Sequence, residues 1–158
     1  MKFKNTKAGF TLIELLVAMG LFLVVIVLAT GTFIRALRIQ RQAVDLIAMN
    51  DSANLALEQM SREIRTGSDF SSPNSDSLNF INASSKQVSY RFNSSLGVVE
   101  RNENGGTFES ITESNVLVAK LSFILQSRVT IVISVASRSK NLDGIFTNLQ
   151  TTISPRTF

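Results

Sequence analysis

The fold turns on Leu15-Leu16-Val17-Ala18-Met19-Gly20-Leu21-Phe22-Leu23-Val24-Val25-Ile26-Val27-Leu28-Ala29-Thr30-Gly31-Thr32-Phe33-Ile34. None of these twenty positions is charged, and sixteen are Ala, Val, Ile, Leu, Met or Phe. A helix rises 1.5 Å per residue, so twenty residues reach about 30 Å, the thickness of a bilayer's hydrocarbon core. Apolar residues continue all the way round a helical wheel drawn here, which leaves no wet face for a soluble core helix. The stretch reads as a membrane span over about residues 15–34.

A cleaved secretory signal is the competing reading. The basic start (Lys2, Lys4, Lys7), the apolar run and the small residues Ala29 and Gly31 would suit a signal peptidase. The run is longer than a usual signal core, however, and carries an acid, Glu14, near its head. An acid at mid-helix costs on the order of 2.5–3.5 kcal/mol, and less near an end. A signal sequence has no reason to bear that cost.

Composition narrows the chemistry. The 158 residues include no His, Cys or Trp. Thiolate nucleophiles, Ser-His-Asp triads, haem or iron–sulfur ligation, the common zinc sites and disulfides are therefore excluded. The expectation is no enzyme, no cofactor and no metal. Net charge is +4, and without Lys2, Lys4 and Lys7 the balance falls to +1. The basic character is thus mostly a property of the leader, and it gives weak grounds for nucleic-acid binding.

Lys7-Ala8-Gly9-Phe10-Thr11-Leu12-Ile13-Glu14-Leu15-Leu16-Val17-Ala18 closely resembles the N-terminal signature of type IV prepilins and pseudopilins. The resemblance implies that a membrane aspartyl peptidase cuts between Gly9 and Phe10 and methylates the new amine of Phe10. It also makes Glu14 the family's acid, used in filament assembly. On physical grounds, Gly9 without a Cβ lets a protease approach the backbone. A freed amine at Phe10 and a carboxylate at Glu14 are each costly in lipid alone and tolerable together, within one helix or between neighbours.

Lys2, Lys4 and Lys7 flank one end of the span and Arg35, Arg38 and Arg41 the other, so charge counting does not orient it. The resemblance implies a cytoplasmic N-terminus in a bacterial inner membrane, with the globular part on the far side. The three Arg, at i, i+3 and i+6, are expected at the membrane interface, against lipid phosphates. Gly20 and Gly31 interrupt the run, and Gly31 stands where many type IV pilins have a Pro.

Past Arg35 the pattern turns amphipathic: Leu37, Val44, Ile47, Ala53, Leu57, Met60 and Ile64 recur at helical steps. One helix over 10–66 is expected, soft at Asn50-Asp51-Ser52 and capped by Gly67. A polar loop follows, with a short strand at Leu78–Ile81. Period-two patterns then predict a hairpin from Val88–Phe92 and Leu96–Arg101, strands at Val116–Leu125 and Val129–Val135, and a last one at Phe146–Ile153. Short turns imply antiparallel pairing. The expected fold is α+β and pilin-like: leader 1–9, long helix 10–66, and a β domain 67–158 of four to six strands in one sheet on the helix's amphipathic half.

Met60-Ser61-Arg62-Glu63-Ile64-Arg65, Tyr90-Arg91-Phe92, Val98-Val99-Glu100-Arg101 and Leu149-Gln150-Thr151-Thr152-Ile153 resemble J-type minor pseudopilins. The resemblance implies a structural subunit of a type II secretion pseudopilus or type IV pilus, in a tip or initiation role. The implied partners are prepilin peptidase, other pilin or pseudopilin subunits, an inner-membrane assembly platform and lipid. Nucleic acid is not expected unless the filament serves DNA uptake. Two alternatives are a minor pilin whose β domain binds in adhesion or DNA uptake, and a membrane-tethered β-rich protein unrelated to filaments. Ser137-Arg138-Ser139-Lys140 fits an acyl-enzyme pattern but lacks its partner motifs and reads as a solvated turn. Asn82 and Asn93 match the glycosylation pattern only as often as a Ser/Asn-rich chain would, and the scattered acids form no calcium loop.

Overall fold

The protein is described here by a computed structural model over residues 9–139, 142 and 144–156. Lys2, Lys4, Lys7 and Lys140 lie outside the described residues. A single 54-residue helix, α1 (Leu12–Arg65), opens the fold. The chain comprises two compact units, Met1–Arg41 and Gln42–Phe158.

In the first unit every described residue is exposed. The apolar part of α1 reaches a mean hydropathy of 2.9 over 18 residues, none of it buried within the protein. By length and composition this helix can cross a membrane.

In the second unit α1 contributes Met49, Ser52, Ala53, Ala56, Leu57, Met60 and Ile64 to the core. Val44 and Ile47, expected on the same stripe, are each 59% exposed, and Leu37 of the first unit is also exposed. The helical angle explains the difference: at 100° per residue, Ile47 points about 160° away from Met49. The helix does not soften at Asn50-Asp51-Ser52. Instead Ser52 is buried, and its hydroxyl accepts the Glu113 backbone N–H at 3.2 Å. Gly67 does not end the helix in the left-handed conformation; its φ is not positive. It is glycine because a Cβ there would lie 2.6 Å from the Phe80 ring.

Among the described residues eight antiparallel strands follow, in two sheets rather than the one expected. The first sheet is ordered β1 (Ser68–Ser71), β2 (Ser77–Ile81), β3 (Gln87–Asn93), β4 (Val98–Glu103), β5 (Glu109–Ser110). The second is β6 (Val116–Leu125), β7 (Val129–Ser137), β8 (Phe146–Ile153). The division has a local cause. β5 pairs with Glu100 and Arg101 and occupies the free edge of β4, so β6 cannot extend that ladder. It instead meets the turns that connect the first sheet's strands, with Val118 N–H donating to Gly97 O at 2.8 Å and Phe123 N–H to Ser75 O at 2.7 Å.

The core lies between α1 and the inner faces of both sheets. Phe80, Tyr90, Val99, Ile131 and Ile133 share one buried cluster with Met60 and Ile64, and all are fully buried. Truncating a side chain there removes transfer free energy and leaves a cavity. Met60→Ala is expected to destabilise the second unit by about 2–5 kcal/mol, whereas Leu55→Ala, at a position 60% exposed, should stay within about 0.5 kcal/mol. Denaturant unfolding of the detergent-solubilised chain, followed by circular dichroism, measures both.

Candidate functional site

The N-terminal stretch places its residues as follows. Gly9 and Phe10 precede the helix and are exposed, Phe10 by 86%. Among the described residues nothing would lie within 4 Å of a Cβ at Gly9. Thr11 caps the helix: its carbonyl accepts Leu15 N–H at 3.2 Å and its hydroxyl accepts Glu14 N–H at 3.3 Å. Sequence reading alone passed over Thr11, although Thr11-Leu12-Ile13-Glu14 has the Ser/Thr-x-x-Glu spacing of a capping box. The helix therefore starts at Leu12 and not at Phe10.

Glu14 sits in the first turn, where a carboxylate complements the positive end of the helix dipole. It shares one face with Val17, Ala18 and Leu21, and small Ala18 leaves a shallow groove beside it. Because Phe10 lies ahead of the cap, the two residues do not stand one helical turn apart on a common face. Arg35, Arg38 and Arg41 are exposed about 30 Å or more along the axis from Glu14, so the acid and the arginines bracket a length equal to the hydrocarbon core. The helix runs unbroken through Gly20 and Gly31, and Thr32 Oγ1 donates to Leu28 O at 2.9 Å.

In the second unit the charged groups serve the fold. Tyr90 Oη donates to Glu63 Oε2 at 2.8 Å, and Arg101 Nε donates to the same oxygen at 3.2 Å. Arg101 Nη2 lies 3.0 Å from Glu63 Oε1 and 2.9 Å from Glu103 Oε2, while Lys86 holds the other Glu103 oxygen. This network joins the last turns of α1 to β3 and β4. Burial, reinforced by the Glu63 carboxylate, pushes the Tyr90 hydroxyl far above its ordinary pKa and keeps it a neutral donor. For Arg101, burial works against the charge but the bonds to Glu63 and Glu103 outweigh it and raise its pKa. The network shows in sequence only once the hairpin register sets Tyr90 opposite Arg101.

A second cluster lies on the same hairpin. Glu100 accepts from Arg91 Nε at 2.7 Å and from Asn93 Nδ2 at 2.8 Å, and the Arg91 guanidinium stacks 3.5 Å from the centre of the Phe108 ring. Asn82 and Asn93 both accept turn N–H groups through their side chains. Arg138, within the Ser137–Lys140 motif, donates to Val116 O and Leu96 O. No group of three His, Cys, Asp or Glu able to hold a metal occurs among the described residues.

Burial alone would raise the Glu100 carboxyl, but its bonds to Asn93 and Arg91 hold it below its ordinary value. A carboxyl depressed in the folded state contributes stability above its unfolded pKa, about 4.3, and that contribution is lost as pH falls through the folded value. Unfolding free energy is thus expected to fall from about pH 5 downward, and Glu100→Gln should flatten that slope. Unfolding titrations at stepped pH read both.

A family model described as the prokaryotic N-terminal methylation motif matches residues 4–30. No curated protein and no solved structure matches the chain. The matched stretch contains Gly9, Phe10, Thr11 and Glu14 and most of the apolar run. The motif implies processing by a prepilin peptidase and assembly with other pilin subunits in general, and with the apolar helix it fits inner-membrane anchoring. Proteins of this kind are structural. The match is confined to the N-terminal stretch and supports a likeness of that stretch to type IV prepilins and pseudopilins.

Proposed function

We propose that the chain is a non-enzymatic filament subunit, cut between Gly9 and Phe10, methylated at the Phe10 amine, and drawn from the inner membrane into a type II secretion pseudopilus or type IV pilus. The N-terminus lies in the cytoplasm and the β-rich unit beyond the membrane. Arg35, Arg38 and Arg41 sit at the outer interface against lipid phosphates. The subunit is a minor one, acting at the tip or in initiation together with other pseudopilins and an assembly platform. The observation that carries this reading is the motif at 4–30 running into a helix whose apolar side chains have no cover among the described residues.

The geometry supplies a mechanism. Gly9 and Phe10 form an open, non-helical stretch before the Thr11 cap, and a peptidase needs such backbone access. The amine freed at Phe10 would then lie at the positive end of the helix dipole, which disfavours it. Glu14 offsets that charge. Since Phe10 is not helical, the carboxylate is free to meet the amine of a neighbouring subunit, and such a pair fixes axial register where an unpaired charge in lipid would be costly.

Two variants test the reading. Gly9→Val meets no steric obstacle in the fold, so loss of cleavage would report contact with the peptidase. The expected result is accumulation of the uncut chain, and normal processing would contradict the site. Glu14→Ala should insert and be cut almost normally yet fall at least about tenfold in sheared filaments, as expected for loss of about 1.4 kcal/mol or more of pairing. Undiminished incorporation would contradict its assembly role.

A further inference from the structure

Apart from the glycines, three described residues take a positive φ: Asp69 at 54°, Ser85 at 58° and Asn104 at 53°. They come from separate places in the chain: the irregular pairing of β1 with β2, the β2–β3 turn, and the turn after β4. Side chains enter this region of backbone space at a cost, whereas glycine enters it freely. Elsewhere the chain follows that preference, since the other described positions with positive φ are Gly97, Gly105 and Gly144.

All three exceptions line one cavity of about 490 Å³, and none of those glycines does. The cavity lies beside Asn79, Ile81 and Gln87, which alternate along β2 and β3 with the buried Leu78, Phe80 and Val88. Residues held outside their preferred conformations cluster at sites that clamp ligands, where a side chain is needed in spite of the strain.

The lining has a definite chemistry. Ser71, Asn79 and Gln87 join Asp69, Ser85 and Asn104 as its polar members. Of these six side chains only that of Asn104 is engaged among the described residues, its Oδ1 accepting the Gln87 backbone N–H at 3.1 Å. An ionised Asp69 can only accept, the amide nitrogens of Asn79, Gln87 and Asn104 only donate, and the two hydroxyls do either. A ligand that satisfies them must donate and accept at closely spaced points, as the hydroxyls of a sugar ring do. No Lys or Arg lines the cavity, and Lys86 in the same turn is paired with Glu103. Asp69 therefore repels an anion, and no second acid in the lining stands with it to hold a cation. Ile81 offers an apolar surface to the C–H face of a ring. The volume falls within the roughly 300–1,000 Å³ of small-molecule sites.

We propose that this cavity binds a neutral carbohydrate, with Asp69, Asn79, Ser85 and Gln87 bonding its hydroxyls and Ile81 against its ring. The site lies wholly within the second unit, and it rests neither on cleavage at Gly9 nor on filament assembly.

The strained positions supply the test, because glycine at 69 or 85 removes the side chain while relaxing the backbone. The full-length protein, in lipid nanodiscs free of sugar-based detergent, is titrated with methyl α-glucoside, methyl α-mannoside, methyl β-galactoside and N-acetylglucosamine. Saturation-transfer NMR reads the binding. At least one of the four is expected to bind saturably, with a Kd of about 1 mM or below. Asp69→Gly and Ser85→Gly should each weaken it by about tenfold or more, while the thermal unfolding midpoint holds or rises. No saturable transfer to any of the four sugars, or unchanged binding in either variant, would overturn the proposal. Equal binding of glucose 6-phosphate would overturn it as well, because the site would then accept an anion. So would a lowered midpoint in both variants, because the two side chains would then serve their turns.

Discussion

From Leu12 to Ile34 the helix exposes Leu, Val, Ile and Phe side chains on every face, and nothing among the described residues covers them. Fully removing one such side chain from water is worth about 1.5–3 kcal/mol, so the stretch as a whole represents tens of kcal/mol that only lipid or other helices can supply. The remaining features are arranged around that constraint. The backbone must be helical, since hydrocarbon offers no partner for free N–H and C=O groups. Thr11 closes the N-terminal end with a side-chain cap, and the charges at Glu14 and at Arg35, Arg38 and Arg41 stand at its two margins.

The same helix changes character after Gln42. Its core-facing side chains become small or flexible, with Ala53 and Ala56 between Met49, Leu57 and Met60, so the sheets can approach its axis. Stability there rests on packing and on the Glu63–Tyr90–Arg101 network that ties the helix end to the hairpin, because the chain has no cysteine to form a cross-link. Half-buried, fully partnered charges of this kind fix which face of the helix meets which strand more than they add net stability.

Much of this was legible in the sequence because the signals were physical ones. The uncharged run at 15–34 identified the helix, and alternation placed β6, β7 and β8 within a few residues. The short turns gave the antiparallel sense. Three features were not legible, each for a structural reason. The sheet broke in two because the two-residue β5, too short for any periodicity, claims the edge of β4. Val44 and Ile47 looked like core because spacing gives a helical stripe without saying where it turns out of phase with the sheet. Gly67 looked like a C-cap, whereas it is glycine because of Phe80, a contact thirteen residues away that no local rule sees. At the N-terminal site, Gly9, Phe10 and Glu14 stood out through the family signature, while Thr11 went unnoticed although its capping spacing was present.

In a filament subunit the apolar helix must stay with the mature protein after a short leader is removed. Intact-mass and N-terminal analysis of the chain recovered from membranes tests this most directly. The expected product begins at Phe10 and carries one added methyl group on its amine. A mature chain beginning near Thr30 or Thr32, with the helix discarded as an export signal, would contradict it.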